Sequence, residues 1–471
     1  MQPKHTGLRS GLVSFRLEHM FGWLVTWGLC MIPVVLWLRM HPLDTIRTFP
    51  ALMLSLGRVA GLVGMVMYAL NLVYATRLRF LEYFFGGLNR VYIAHHLLGG
   101  FALIFLTLHP LFLSLRYIGK HLLQGALLLI PNGLTPISAL FNRSSEYHDL
   151  VLTQWAITFG IIAFWGMVVL LLLTFFINLP YRLWLFTHKF LGAAFFLGAL
   201  HVLFIESDTS KNAALKYYLL AMAAIGIIAY VYRTLMGSII IKHYKYSVNS
   251  VNVVAGNVVQ VNMVPIGLKM SYKPGQFVFV RFNSNVPHDG ISKEWHPFSI
   301  SSAPHDNVLQ LSVKGLGDYT NKLASLQAGS SADIEGAYGR FTYSNFKNKN
   351  QIWVGGGIGI TPFISMARSI TDPSFHVDLY YSVNTTSELI DWNLLADVAG
   401  SNPNVRVIPF ISDQQNGAFL STAFIKQYSG ELKGKEVFIC GPPPMMKSMR
   451  QQFKNEGLPG TSIHSEEFAM S

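Results

Sequence analysis

The sequence predicts a bundle of six membrane helices, then a small antiparallel β-barrel, then a parallel α/β domain. Three observations predict it. Charged residues make up only 13% of the 471-residue chain and hydrophobic ones 51%, where soluble domains carry about 25% charged residues. Apolar runs of about 20 residues, enough to cross a bilayer, recur through the first half. The second half turns to short alternating strands, and then to strands separated by helical stretches. Domain boundaries follow at 1–240, 241–348 and 349–471.

The six apolar runs lie near 20–39, 51–76, 91–117, 151–178, 181–205 and 213–237. Between the third and fourth, an apolar patch from Leu127 to Ile130 is broken by Pro131, Gly133 and Pro136, so 119–150 reads as a loop or re-entrant piece. Strands with alternating patterning follow at Ser247–Val254, Val258–Val264, Gln276–Phe282 and Leu309–Lys314, as in an antiparallel barrel. Later strands at Gln351–Val354, His376–Val383, Val405–Ile411 and Glu436–Cys440 alternate with helical segments. That order predicts a parallel sheet with crossover helices.

The net charge of +12 is unevenly placed. The first 240 residues hold 17 Lys and Arg against 7 Asp and Glu, and the remainder 19 against 17. Basic residues flanking membrane spans set topology, so the excess does not imply a nucleic-acid partner. With the N-terminus inside, inner segments carry nine basic residues and outer loops seven, and Lys242 and Lys245 add to the inner side. The expectation is an integral protein of the cell (inner) membrane with both termini cytoplasmic. The first 20 residues lack the apolar core and small-residue site of a cleaved signal peptide. Two cysteines, Cys30 and Cys440, are too few for a disulfide framework, a thiolate zinc site or an iron–sulfur cluster.

Ionisable residues inside a span are costly and mark function. The third run carries His95, His96 and His109, and the fifth His188 and His201. Spacings of 14 and 13 residues separate the members of each pair by about 20 Å along a helix. Both helices run from inside to outside, so His95 can face His188 and His109 can face His201. Two stacked bis-imidazole sites suit two b-type haems. Histidines at helix ends also snorkel to the interface, but the matched spacing on two helices argues for ligation. Fourteen residues return His109 to within about 40° of His95, whereas thirteen leave His201 about 140° from His188. A kink, a tilt or differently rotated haems must absorb the difference, and helical geometry leaves His95 and His96 both open. Arg58 lies within the second run near the level of His109, where it either snorkels or faces a haem propionate or an acceptor.

The second half carries three local signals in order. Lys273-Pro274-Gly275-Gln276-Phe277 precedes a strand, His296-Pro297-Phe298-Ser299 follows, and Lys314-Gly315-Leu316-Gly317-Asp318-Tyr319-Thr320 offers amides and a hydroxyl to a flavin. Next, Gly355-Gly356-Gly357-Ile358-Gly359-Ile360-Thr361-Pro362 links a strand to a helix, where glycines and a helix start favour a pyrophosphate. Last, Cys440-Gly441-Pro442-Pro443 ends the final strand with small residues that leave room for a nicotinamide.

Together these residues resemble the ferric reductase and NADPH oxidase superfamily, and among its members the compact prokaryotic ones. In that superfamily a six-helix haem domain is joined to a ferredoxin-reductase-like FAD and nicotinamide module. The resemblance implies FAD, two haem b groups and NADPH, with NADH also open, as cofactors. It implies His95 with His188 as ligands of the inner haem, the Arg90…Tyr92…His95 context favouring His95, and His109 with His201 as ligands of the outer one. His296, Pro297, Phe298, Ser299, Lys314, Gly317 and Thr320 would line the FAD. Gly356, Gly357, Gly359, Thr361, Pro362, Ser382, Cys440, Gly441 and Pro442 would line the nicotinamide coenzyme. Phe468 matches the aromatic that stacks on the flavin in relatives, and Arg58 resembles a basic residue near the oxidases' outer haem. NADPH-using relatives often place an Arg after Tyr381-Ser382-Val383, where this chain has Asn384; no acidic residue stands there in its place to hold a ribose diol, so NADPH and NADH both stay open. The function implied is transmembrane electron transfer from NAD(P)H to an external acceptor, O2 giving superoxide or a ferric chelate. No nucleic acid and no obligate protein partner is expected.

Overall fold

The computed structural model describes residues 17–119, 121–129, 148–285 and 290–466. The chain forms two compact units, residues 20–85 with 90–241, and residues 242–471 with the short segment 86–89.

The first unit is helical. Its long helices are α1 (Leu17–Met40), α2 (Phe49–Tyr74), α4 (Leu88–Leu115), α6 (His148–Phe176), the pair α7 (Tyr181–Lys189) and α8 (Leu191–Phe204), and α10 (Ala213–Tyr230). Short helices α3 (Arg79–Phe85), α5 (Leu122–Leu127), α9 (Asp208–Lys211) and α11 (Gly237–Ile240) punctuate them. Among the described residues six segments are long and apolar enough to cross a membrane, and each falls on one of the six predicted runs. Capping fixes several starts: the Thr48 side chain accepts the Ala51 amide at 3.3 Å and the Asn212 side chain accepts that of Leu215 at 3.0 Å. The loop expected at 119–150 contains a helical turn, α5, and residues 130–147 lie outside the described residues.

The fifth span is not one continuous helix. At Phe190 the amide bonds back to the Thr187 carbonyl at 3.1 Å, a tightened turn that separates α7 from α8. This break lies between His188 and His201.

The second unit holds two sheets. The first has six antiparallel strands: β1 (Tyr244–Val254), β2 (Val258–Pro265), β3 (Phe277–Asn283), β4 (His296–Ser299), β5 (Leu309–Lys314) and β6 (Ser331–Tyr338), in the order β4-β3-β6-β1-β2-β5. A bridge between Ile300 and Leu311 joins the two edges, so the sheet closes on itself. Its interior is filled by alternate side chains, among them Val248, Val261, Val280, Leu311 and Ile334.

The second sheet is parallel throughout: β7 (Asn350–Gly356), β8 (His376–Val383), β9 (Val405–Ile411), β10 (Glu436–Cys440) and β11 (Ile463–Glu466), in the order β11-β10-β7-β8-β9. Crossover helices α13 (Thr361–Ala367), α14 (Trp392–Ser401), α15 (Thr422–Ser429) and α16 (Pro443–Asn455) connect the strands, and α12 (Asp318–Lys322) follows β5 in the barrel. One core lies on each face, around Trp353, Phe363 and Phe438 on one side and Ile352, Ile439 and Phe453 on the other. The chain moves outward from β7 to β9 and then returns to place β10 on β7's other side. The topological switch point therefore lies between β7 and β10, where sheets of this type bind nucleotides.

Candidate functional site

Within the helical unit the histidines come together as two pairs. The rings of His95 and His188 have centroids 6.3 Å apart at 67°, and those of His109 and His201 are also 6.3 Å apart, at 69°. Imidazole–metal bonds run about 2 Å, so two rings on opposite faces of one iron have centroids about 6 Å apart. Both pairs have that separation. The donor set fits a haem, which needs only two axial nitrogens; among the described residues no cluster of three or more His, Cys, Asp or Glu could hold a metal without a macrocycle.

The outward-facing nitrogens are fixed by the backbone. Nδ1 of His95 lies 3.0 Å from the Asn71 carbonyl, Nδ1 of His109 2.8 Å from that of Gly57, and Nδ1 of His201 2.8 Å from that of Ala156. A carbonyl only accepts, so each Nδ1 carries the proton and each Nε2 keeps its lone pair for a ligand. His188 differs: its buried Nδ1 meets no hydrogen-bond partner among the described residues, and its ring stacks on Trp184 at 5.1 Å. His96 makes ring contact with His95 at 5.7 Å.

A cavity of about 380 Å³ opens between His109 and His201, lined mainly by apolar side chains of α2, α4, α6 and α8. Arg58 and Asp208 stand on its wall. Arg58 Nη1 lies 2.9 and 3.0 Å from the two Asp208 oxygens, and Trp37 Nε1 donates to Asp208 at 2.8 Å. Trp37 stacks on His41 at 4.5 Å, and His41 Nε2 approaches Asp208 to 3.6 Å. Sequence reasoning found Arg58 but missed Asp208, 150 positions away; the only signal was an acidic side chain immediately after the fifth span.

In the second unit β4 delivers His296 to the segment after β5. The His296 ring stacks on Tyr319 at 3.6 Å and 20°, uniting two of the predicted flavin signals. Burial holds the His296 imidazole below its ordinary value, with Glu294 pulling the other way. Ser299 is buried at the end of β4. The Thr320 hydroxyl is occupied locally, accepting the amides of Leu316 at 2.9 Å and Gly317 at 3.1 Å. Tyr319 lies inside the Lys314–Thr320 motif, where nothing in the sequence marks it, and only the fold shows that it meets His296.

At the switch point the glycines are packing requirements. A Cβ on Gly359 would fall 2.4 Å from the Cys440 carbonyl oxygen, and one on Gly356 2.5 Å from Met445 Sδ. Gly356 thus meets Gly441 and Pro442, and Gly359 meets Cys440 and Gly441, across adjacent strand ends, while Gly357 takes a left-handed φ of +53° with open space beside it. Thr361 is buried and donates its hydroxyl to the Ile358 carbonyl at 3.1 Å. Cys440 is fully buried, and burial together with the adjacent Glu466 carboxylate pushes its thiol well above the ordinary value. It is a neutral packing residue in this state. Glu466 pairs with Cys440 in the register of β11 against β10, a neighbour that sequence reasoning missed. Ser382, next to last in β8, pairs with Gly356. The barrel and the parallel sheet are tied by Ser365 Oγ donating to the Ser302 carbonyl at 2.6 Å and by Arg368 on Asp306 at 2.7 Å. Phe468 lies outside the described residues.

Comparison with known families matches residues 60–199 to a ferric reductase like transmembrane component, 243–362 to an FAD-binding domain and 353–451 to an oxidoreductase NAD-binding domain. The chain is 28% identical over 210 residues to the glycine betaine monooxygenase reductase subunit of Chromohalobacter salexigens, covering 42% of this chain and 56% of that one. It is 27% identical over 212 residues to the reductase subunit of an aromatic O-demethylase from an Amycolatopsis species, covering 42% and 61% respectively. The chain thus spans less than two thirds of either relative. A ferredoxin NADP+ reductase from Neisseria gonorrhoeae, solved with FAD and NADP, aligns at 22% identity and a TM-score of 0.40 over 48% of this chain and 98% of its own. The order of the three family matches along this chain, a ferric reductase like transmembrane component followed by FAD-binding and NAD-binding domains, is the architecture of the ferric reductases and NADPH oxidases.

Proposed function

We propose that the chain carries electrons from a cytosolic nicotinamide coenzyme, through FAD and two b-type haems, across the cell (inner) membrane to an external acceptor, with O2 reduced to superoxide. The observation that carries this reading is the pair of imidazole couples, each with 6.3 Å between ring centroids, which set His95 and His109 of α4 against His188 of α7 and His201 of α8. When bound, the flavin and haems supply hydride acceptance and single-electron relay, chemistry that belongs to the groups themselves. His95 and His188 would hold one haem, and His109 and His201 the other, with the carbonyl bonds to His95, His109 and His201 turning their Nε2 atoms inward. His296, Pro297, Phe298, Ser299, Lys314, Gly317 and Thr320 would hold the FAD. Gly356, Gly357, Gly359, Thr361, Pro362, Ser382, Gly441 and Pro442 would shape the coenzyme site, with Cys440 as a small neutral wall, and Phe468 would cover the flavin.

Oxygen is favoured over an anionic ferric chelate by the charge balance at the level of His109 and His201. Arg58 and Arg116 stand there against Glu206 and Asp208, so no excess positive charge in that lining draws an anionic chelate. A second reading, delivery of electrons to a protein acceptor, draws on relatives named as reductase subunits and electron transfer components.

In proteoliposomes with coenzyme supplied to the side bearing residues 242–471, superoxide should accumulate on the opposite side, read by dismutase-sensitive cytochrome c reduction. Ferric-chelate reduction that outpaces superoxide at least about tenfold would overturn the oxygen assignment. Turnover with neither acceptor would favour the protein partner.

A further inference from the structure

In parallel sheets that bind dinucleotides, the residue group after the second strand reads the adenosine ribose. An acidic side chain there accepts the 2′-hydroxyl of NAD, whereas an Arg accommodates the 2′-phosphate of NADP. The coenzyme site here rests on separate ground, the glycine turn at the switch point and the NAD-binding match over 353–451. The second strand is β8, and its following turn begins at Asn384.

The fold places acidic groups around that turn. The Glu388 carboxylate folds back so that Oε2 accepts the Asn384 amide at 3.3 Å. The Asn384 carbonyl in turn accepts the Asp413 amide at 3.0 Å, which draws the end of β9 alongside. A third acid, Asp391, is occupied, accepting Gln260 Nε2 at 2.7 Å on both oxygens. Between Arg368 and Lys426 the only Lys or Arg is Arg406. Arg406 is the second residue of β9, at the N-terminal end of the parallel strands and so at the end away from this turn, and its Nε lies 2.6 Å from Asp378. A 2′-phosphate carries about −1.5 to −2 charges near pH 7. At this turn it would meet Glu388 and Asp413 with no Lys or Arg supplied by the ends of β8 and β9 or the loops that follow them.

We propose that the chain selects NADH over NADPH, Glu388 accepting the ribose 2′-hydroxyl and, with Asp413, repelling a 2′-phosphate. The inference rests on the reading of the chain as a nicotinamide-dependent oxidoreductase and names its coenzyme. It also reverses the preference for NADPH that the family resemblance implies.

The test uses the full chain in detergent with FAD, and measures binding of NAD+ and NADP+ by calorimetry alongside anaerobic flavin reduction by NADH and NADPH. NAD+ should bind at least about tenfold tighter, because like charges brought together oppose association. The double variant Asn384→Arg with Glu388→Gln should narrow that ratio by a similar factor. Equal binding, or tighter binding of NADP+, would overturn coenzyme selection alone. A wild-type preference that the double variant leaves unchanged would remove Glu388 from the role. Failure of both coenzymes to bind or reduce the flavin would sink the oxidoreductase reading as well.

Discussion

At His201 a single backbone carbonyl decides which nitrogen faces the opposing ring. The Ala156 carbonyl takes Nδ1–H at 2.8 Å, and α6 can approach that closely only because residue 160 has no side chain. A Cβ on Gly160 would fall 2.7 Å from His201 Nδ1, so the imidazole would have to move. Gly61 stands in the same relation to His109, at 2.5 Å. Gly160→Ala should therefore lower haem content from about two to about one per chain. Overpacking costs about 1–3 kcal/mol, which leaves the rest of the bundle folded. Pyridine haemochrome assay on the purified variant reads the loss, and an unchanged haem content would separate His201 from the outer site. The histidines themselves were legible from spacing. Their carbonyl partners were not, because a backbone oxygen carries no residue identity, and neither was Asp208, which reaches Arg58 only through the packing of helices distant in sequence.

Among the elements, β4 carries an imidazole whose burial ties stability to pH. Its His296 is held neutral by burial, below the ordinary value of about 6.5. The unfolded chain therefore binds the additional proton between pH 6.5 and the lowered folded value. Stability is full above about pH 6.5 and is lost as the pH falls through that window. Flavin release on heating, followed by fluorescence, should shift to lower temperature between pH 7.5 and 5.5, and His296→Asn should flatten the shift. An equal shift in the variant would assign the acid sensitivity elsewhere. β1, β2, β3, β5 and β7 to β10 were legible from alternation or from apolar runs bounded by turns. β6 was not, because Asp333, Glu335 and Gly336 interrupt its pattern, and β11 is a four-residue strand of sequence Ile-His-Ser-Glu. The break at Phe190 was not legible: a kink was one of three ways to absorb the 13-residue spacing, and no proline or glycine stands at Phe190 to mark its place.

At the scale of the whole molecule the order of domains was the most legible feature, because a bilayer-length apolar run and a parallel-sheet alternation are written over many residues each. What the sequence left open was how charges pair in space: Arg58 meets Asp208, and Glu388 folds onto Asn384, which no residue count reveals. The proposed activity requires all three parts to act in series, from nicotinamide to flavin to a pair of haems. The most direct measurement is the anaerobic absorbance spectrum of the purified full chain with FAD, before and after addition of NADH. Two b-type haems per chain, both reduced by the coenzyme, are expected. A chain that holds no haem after reconstitution, or haems that neither NADH nor NADPH reduces, would contradict the relay.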